Sequence, residues 1–293
     1  VGQALKRRGL AQRRLLLLGV AAVGLVGVEG VVYARRYLQT RPTNEALPKP
    51  TIAGELAQAR KARPFRVAAL GRQTLNTAQL GPAGIELVSG FDSTNLRHYQ
   101  RYLGLLETGK LSPVKATSWL ELQRIARPEL LALLDVRRLV TAAPLPGSAL
   151  GSPKVYRDQP LFVLTQGVSR RTLYVYDTEG LSPRRAAFVP RTLRVQSAEA
   201  MAREVARRDL RRLAVVLGPG KNKPPSGRGE VDQLEATPGS VRLRAKSPRG
   251  GFLLLGEIWH PGWQARVDGT VTPLRRANLA LMGLDLPPGE HRV

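Results

Sequence analysis

The sequence predicts an α+β protein: one transmembrane helix, then a mixed α/β extracytoplasmic domain, then a C-terminal β-sandwich. Three observations predict it. Residues 15–34 are the one apolar run of membrane length, and strand and helix patterns alternate from Phe65 to Leu217. Beyond Glu230, apolar and polar residues alternate, with turn signals every roughly 8–12 residues. The 293 residues leave room for about two domains. Cysteine is absent, which excludes disulfides and thiolate metal ligands.

The N-terminal elements follow from charge and length. Residues 1–14 form a basic cytoplasmic flank with Lys6, Arg7, Arg8, Arg13 and Arg14. Residues 15–34 follow as the transmembrane helix, since about 20 residues rising about 1.5 Å each cross a hydrocarbon core of about 30 Å. Arg35, Arg36 and Arg41 lie beyond it, and the excess of positive charge before it puts the N-terminal side in the cytoplasm and residues from about 35 onward outside. A signal peptide is the alternative reading. The run is long for a signal-peptide core, and Tyr33-Ala34-Arg35-Arg36-Tyr37 fits a membrane boundary better than a cleavage site. Glu29 is the single charge in the span, near its outer end, where it can reach headgroups or pair with Arg35 or Arg36. A role in a membrane-embedded site is the sharper alternative.

Residues 35–64, with Pro42, Pro48, Pro50 and Pro64, read as a linker containing a helical piece from Ile52 to Arg63. Residues 65–220 form the mixed domain. Strands are expected at Phe65–Leu70, Val136–Thr141, Leu161–Leu164, Leu173–Tyr176 and Arg212–Leu217, and helices at Leu96–Leu106, about Trp119–Leu134, and Ser197–Arg208. Lys221 to Gly229 is a loop and the expected domain boundary, and residues 221–293 form the sandwich. Within it Pro261-Gly262 suits a type II turn, Asp268-Gly269 a tight hairpin, and Pro288-Gly289 a third reversal.

The net charge is +24, from 46 Lys and Arg against 22 Asp and Glu. The basic residues are mostly Arg and spread along the whole chain, with no helix-turn-helix, zinc finger, RNP motif or basic tail, so nucleic acid is not the expected partner. Anionic lipid or lipid phosphate is the better use of the charge.

No catalytic constellation is readable. His98, His260 and His291 lack metal-site spacing, there is no G-x-S-x-G, and Gly218-Pro219-Gly220-Lys221 lacks the spacing and trailing hydroxyl of a P-loop. Asp92, Ser93 and Asn95 precede a helix pattern, where capping competes with a polar rim that touches a sugar or lipid headgroup. Trp259 and Trp263 bracket the Pro-Gly turn, and there core packing competes with stacking on a sugar ring. Asp92, Ser93, His98, Trp259 and Trp263 are accordingly the candidate substrate-binding residues; no catalytic, cofactor or metal residue is expected in this stretch.

The C-terminal run Trp259-His260-Pro261-Gly262-Trp263-Gln264-Ala265-Arg266-Val267-Asp268-Gly269, then Arg276-Ala277-Asn278, then Pro288-Gly289-Glu290-His291-Arg292-Val293, resembles the C-terminal extracytoplasmic segment of the bacterial membrane protein YfhO family. The resemblance extends upstream through Asn76, Gly84-Ile85, Gly90-Phe91-Asp92-Ser93, Arg97-His98-Tyr99, Leu133-Leu134-Asp135-Val136, Leu173-Tyr174-Val175-Tyr176 and Ala187-Phe188-Val189-Pro190. It departs at Arg138, where an aromatic residue is usual. The resemblance implies a GT-C-like polytopic glycosyltransferase of the bacterial cytoplasmic membrane. Such an enzyme moves a sugar from a polyprenyl-phosphate donor to a cell-envelope acceptor, with its catalytic carboxylate in an outer loop near the N-terminal membrane helices. Starting at Val1 and stopping at Val293, this stretch is expected to be an internal fragment without that loop; a divalent metal, if the transferase uses one, belongs to the region it lacks. The competing expectation is a non-catalytic, membrane-anchored carbohydrate-binding or envelope-assembly module. A cytosolic basic binding protein is third.

Overall fold

The computed structural model describes residues 2–37, 49–71, 74–75, 77–91, 96–114, 119–147, 150–163, 167–181, 184–220, 229–237 and 239–293. The chain divides into two units, Val1–Ala46 and Leu47–Val293. Among the described residues the first holds one helix, α1 (Gly2–Tyr37), and its segment Leu16–Arg36 is long and apolar enough to cross a membrane. Its apolar side chains, such as Leu17, Val23 and Leu25, are exposed.

The second unit is mixed α/β. Its elements in order are α2 (Thr51–Ala62), β1 (Arg66–Leu70), β2 (Glu86–Leu87), β3 (Gly90–Phe91), α3 (Arg97–Thr108), β4 (Trp119–Leu120), α4 (Pro128–Leu133), β5 (Val136–Thr141), β6 (Lys154–Val163), β7 (Gly167–Asp177), β8 (Ala186–Val189), β9 (Arg191–Val195), α5 (Ala198–Arg207) and β10 (Leu213–Leu217). There follow β11 (Glu230–Thr237), β12 (Ser240–Ser247), β13 (Gly251–Ile258), β14 (Ala265–Val267), β15 (Thr270–Thr272), β16 (Arg275–Ala277), β17 (Leu281–Leu286) and β18 (Gly289–Arg292).

Three sheets carry the core. A five-stranded sheet runs β2-β1-β5-β7-β6, with β1 parallel to both β2 and β5. On one of its faces lie Ile52, Ala53 and Leu56 of α2, packed with Val67, Val140 and Leu173. The segment expected as linker is therefore partly a docked helix, because its apolar residues recur at helical spacing and find this sheet. On the other face, Ala68 and Leu139 meet Tyr102 and Leu106 of α3 and Leu131 of α4, in a cluster that continues to Phe252 and Leu254 of β13.

The second sheet runs β8-β13-β17-β16-β10-β9. Strands from 65–220 and from 221–293 are thus neighbours in one sheet, and the two segments do not fold as separate sheets on either side of the 221–229 loop. Residues 221–228 of that loop lie outside the described residues. Strand β13 is buried on both faces: Phe252 and Leu254 point into the first cluster, Leu253 and Leu255 into another with Leu243 and Ala245 of β12. That explains its unbroken apolar run, where alternation was expected. The third sheet is β11-β12-β18.

Other expectations fail locally. Instead of one helix from Trp119 to Leu134, β4 pairs with β3 and only Pro128–Leu133 is helical. Arg127 precedes Pro128 and takes φ −126, ψ 75, outside the helical region that proline disfavours for its predecessor. The Pro261-Gly262 turn closes with Trp263 N–H donating to His260 O at 3.1 Å, but Gly262 takes no positive φ, so it is not type II. Asp268 (φ 50) and Gly269 (φ 83) do form the tight β14–β15 hairpin.

Three of the residues that carried the resemblance act as fasteners. Asn278, buried at φ 46, accepts from Val215 N–H through its side-chain oxygen at 2.8 Å and donates its own N–H to Val215 O at 2.8 Å, clasping the β16–β17 turn onto β10. Asp268 accepts from Arg292 N–H at 2.8 Å and from His291 Nδ1 at 2.7 Å, so the hairpin grips β18. Asp135, at φ 56, turns the chain from α4 into β5, and its carbonyl accepts from Arg66 N–H at 2.9 Å.

A buried ion network joins the first two sheets. Arg66 of β1 pairs with Glu257 of β13 at 2.7 Å and with Glu86 of β2 at 3.1 Å; Arg185 pairs with Glu257 at 2.6 Å and with Glu86 at 3.2 Å. Arg60 adds a 2.9 Å contact to Glu86. The β13 register shifts between Leu255 and Ile258, a bulge that aims Glu257 at both arginines. At Gly256 an added Cβ would lie 2.6 Å from Leu133 O, so only glycine lets β13 approach α4 this closely.

Two outcomes are expected. Glu257→Gln leaves Arg66 and Arg185 buried with a neutral partner and should lower unfolding free energy by about 3–5 kcal/mol, read by denaturant titration. Burial opposes ionisation of Glu86, but Arg185, Arg66 and Arg60 outweigh it and lower its pKa from 4.5 to about 2. The unfolded chain takes up this proton near 4.5, so the stabilisation is whole above that pH and lost as pH falls toward 2. The stability gap between wild type and Glu86→Gln should therefore close across that window; a gap constant with pH would contradict the assignment.

Candidate functional site

Two of the five residues expected to bind substrate meet in the structure although they lie 161 positions apart. Helix α3 starts at Arg97, with Leu96 at its N-cap, and presents His98 in its first turn. Trp259 directly follows β13, where the chain leaves the sheet and its N–H donates to Ala280 O at 2.7 Å. His98 Nε2 donates to Trp259 O at 2.9 Å, and the two rings meet edge to face with centroids 5.9 Å apart. That bond leaves Nδ1 as the acceptor of the neutral imidazole.

A third member was not singled out by the sequence. Arg276 of β16 places its guanidinium 5.9 Å from the centre of the Trp259 ring and donates through Nε to Leu279 O. The left-handed pair Asn278 and Leu279 turns that carbonyl toward it. Arg276 had been legible only as part of the Arg276-Ala277-Asn278 motif, and no local signal links it to Trp259, because the link runs through sheet pairing.

The electrostatics are those of a partly dry, basic corner. Burial, then the charge of Arg276, hold His98 below its usual pKa, with the bond to Trp259 opposing. Burial, then Arg101, push Arg276 down as well. An anion entering here would relieve repulsion among groups already crowded together.

The other candidates fall elsewhere. Trp263 packs, partly buried, against the cluster between β13, β17 and β12, which also takes one side of Trp259. For Trp263 the packing role prevails. Asp92 and Ser93 lie outside the described residues. His291 is held by Asp268 and serves the hairpin, and His260 accepts from Gly262 N–H at 3.1 Å within the turn. Among the described residues no group of three or more His, Asp or Glu gathers as a metal-ligand set.

In an NMR titration His98 should take up its proton below pH 6.5, its ordinary value, and Arg276→Gln should raise that midpoint by removing a like charge. An unchanged midpoint would separate the two residues electrostatically. Comparison of the chain with known protein families, curated proteins and solved structures finds no match.

Proposed function

We propose that this chain is the extracytoplasmic part of a membrane glycosyltransferase that moves sugar from a polyprenyl-phosphate donor to a cell-envelope acceptor, and that its own share is to hold glycan. The observation that supports it is the meeting of His98, Trp259 and Arg276, with Arg101 close by, in a unit that follows a membrane-length helix in sequence. What Trp259 leaves exposed is an apolar wall for a sugar ring, and guanidiniums suit the carboxylate or phosphate of an acidic glycan. The enzymatic half of the reading rests on the sequence motifs alone. The proposal also takes residues from about 35 as extracytoplasmic and the bacterial cytoplasmic membrane as the location.

A second reading is an anchored carbohydrate-binding or envelope-assembly module without a transferase, since the corner of His98, Trp259 and Arg276 needs no transfer chemistry to hold a glycan.

One experiment tests both. Membranes carrying the full-length protein are given labelled polyprenyl-phosphate sugar and envelope polymer. Transfer of label supports the transferase; retention of acidic glycan without transfer leaves the module; neither sinks both. Trp259→Ala and Arg276→Gln should each weaken glycan retention about tenfold.

A further inference from the structure

A second basic site stands on other elements. Between the end of α2, the start of β5 and the approach to β8 lies a cavity of about 210 Å³ lined by Arg63, Arg137, Arg184, Thr178 and Glu179. A neighbouring cavity of about 270 Å³ shares Arg63 and Arg184 and reaches Asp135 and Asp232. These arginines divide into two kinds. Arg137 is already engaged, by Asp135 at 3.1 Å and Glu179 at 3.6 Å. Arg63 and Arg184 form no ion pair within 4 Å among the described residues.

Of the carboxylates nearby, Asp135 and Glu179 are engaged, while Asp232, on the larger cavity alone, forms no ion pair within 4 Å among the described residues. Asp135 is buried against Arg137, and Glu179 lies between Arg137 and Arg138, the latter at 3.4 Å. Thr178 turns its hydroxyl away, donating to Val136 O at 2.7 Å. The smaller cavity thus sets three guanidiniums against one carboxylate that two arginines already share.

We infer that this cleft is a phosphate-group site, in which Arg63 and Arg184 supply the free guanidinium forks and Arg137, held by Asp135 and Glu179, supplies a fixed third charge. A guanidinium fork matches two oxygens of a phosphate at once, and three of them converging on one cavity exceed what a carboxylate's two oxygens can use. Burial, then the charge of Arg137, push Arg63 below its usual value, with Asp135 and Glu179 opposing and Arg184 adding to the repulsion, so an incoming dianion would relieve that repulsion. The inference stands apart from the glycan reading. The phosphate could be free or borne by a lipid, since the chemistry that recognises the group is the same.

Titration calorimetry on the full chain in a maltoside detergent separates the cases, with inorganic phosphate, dihexanoyl phosphatidic acid and acetate as probes. One saturable site for a phosphate probe is expected, with acetate at least about tenfold weaker, and Arg63→Gln and Arg184→Gln should each weaken phosphate binding about tenfold or more. Equal or tighter binding of inorganic phosphate assigns the site to the free ion, and tighter binding of phosphatidic acid assigns it to a lipid-borne group. Binding of neither probe, acetate binding as well as phosphate, or variants that bind like wild type would overturn the inference. Without ligand, Arg63→Gln should melt no lower than wild type, since it loses no ion pair. Arg184→Gln, at an exposed position, carries the same test should the first variant fail to fold.

Discussion

The structure of residues 47–293 depends on the contact between Glu257 and its two arginines. Among the described residues the five-stranded and six-stranded sheets share no ladder, so their mutual placement rests on the apolar cluster under α3 and α4 and on this network. Apolar burial is non-directional and would tolerate sliding. The network would not: Arg66 reaches Glu257, Glu86, Leu134 O and Gly256 O at once, so it ties β1, β2, the end of α4 and β13 together. Lysine could not replace it, because a single ammonium cannot span partners spread around a planar fork. Burying such ions is worth little for stability when compared with apolar packing, and their use here is positional.

The same logic explains the motif residues. Asp135, Asp268 and Asn278 each combine a left-handed backbone, which Asp and Asn tolerate better than most, with hydrogen bonds to a distant strand. Each closes a junction where the chain changes element. A likeness carried by such residues speaks to how the chain folds, and the chemistry has to be sought among the side chains the fold leaves over.

Much of the local structure was legible. The helix at 52–63, the strand at 136–141, the helix at 197–208 and the Asp268-Gly269 hairpin announce themselves through periodicity and turn chemistry over a few residues. What was not legible is non-local. Phe65-Arg66-Val67-Ala68 gives no sign that Arg66 faces a buried glutamate 191 positions away, because a charge in a strand reads as a solvent face. The partnership of β8, β9 and β10 with β13, β16 and β17 crosses a proline-rich loop that looks like a boundary, and pairing across it leaves no compositional trace. The candidate site shows the same division: His98 and Trp259 stood out by residue type, while Arg276 joined them only through the register of β16.

Charge gives the last step. A surplus of +24 would draw the whole chain toward anionic surfaces, but diffuse charge is screened within about 8 Å at physiological salt and cannot select a ligand. Selection requires guanidiniums that are held in place and lack internal partners. Most of the buried arginines fail the second condition: Arg66, Arg137 and Arg185 are consumed by Glu86, Asp135, Glu179 and Glu257. Among the described residues Arg276 is held over an indole with no carboxylate paired to it, and Arg63 and Arg184 share a cavity whose one carboxylate, Glu179, is already engaged by Arg137 and Arg138. Those four carboxylates are spent on architecture, and in the two proposed sites these few arginines are where the excess positive charge would become recognition.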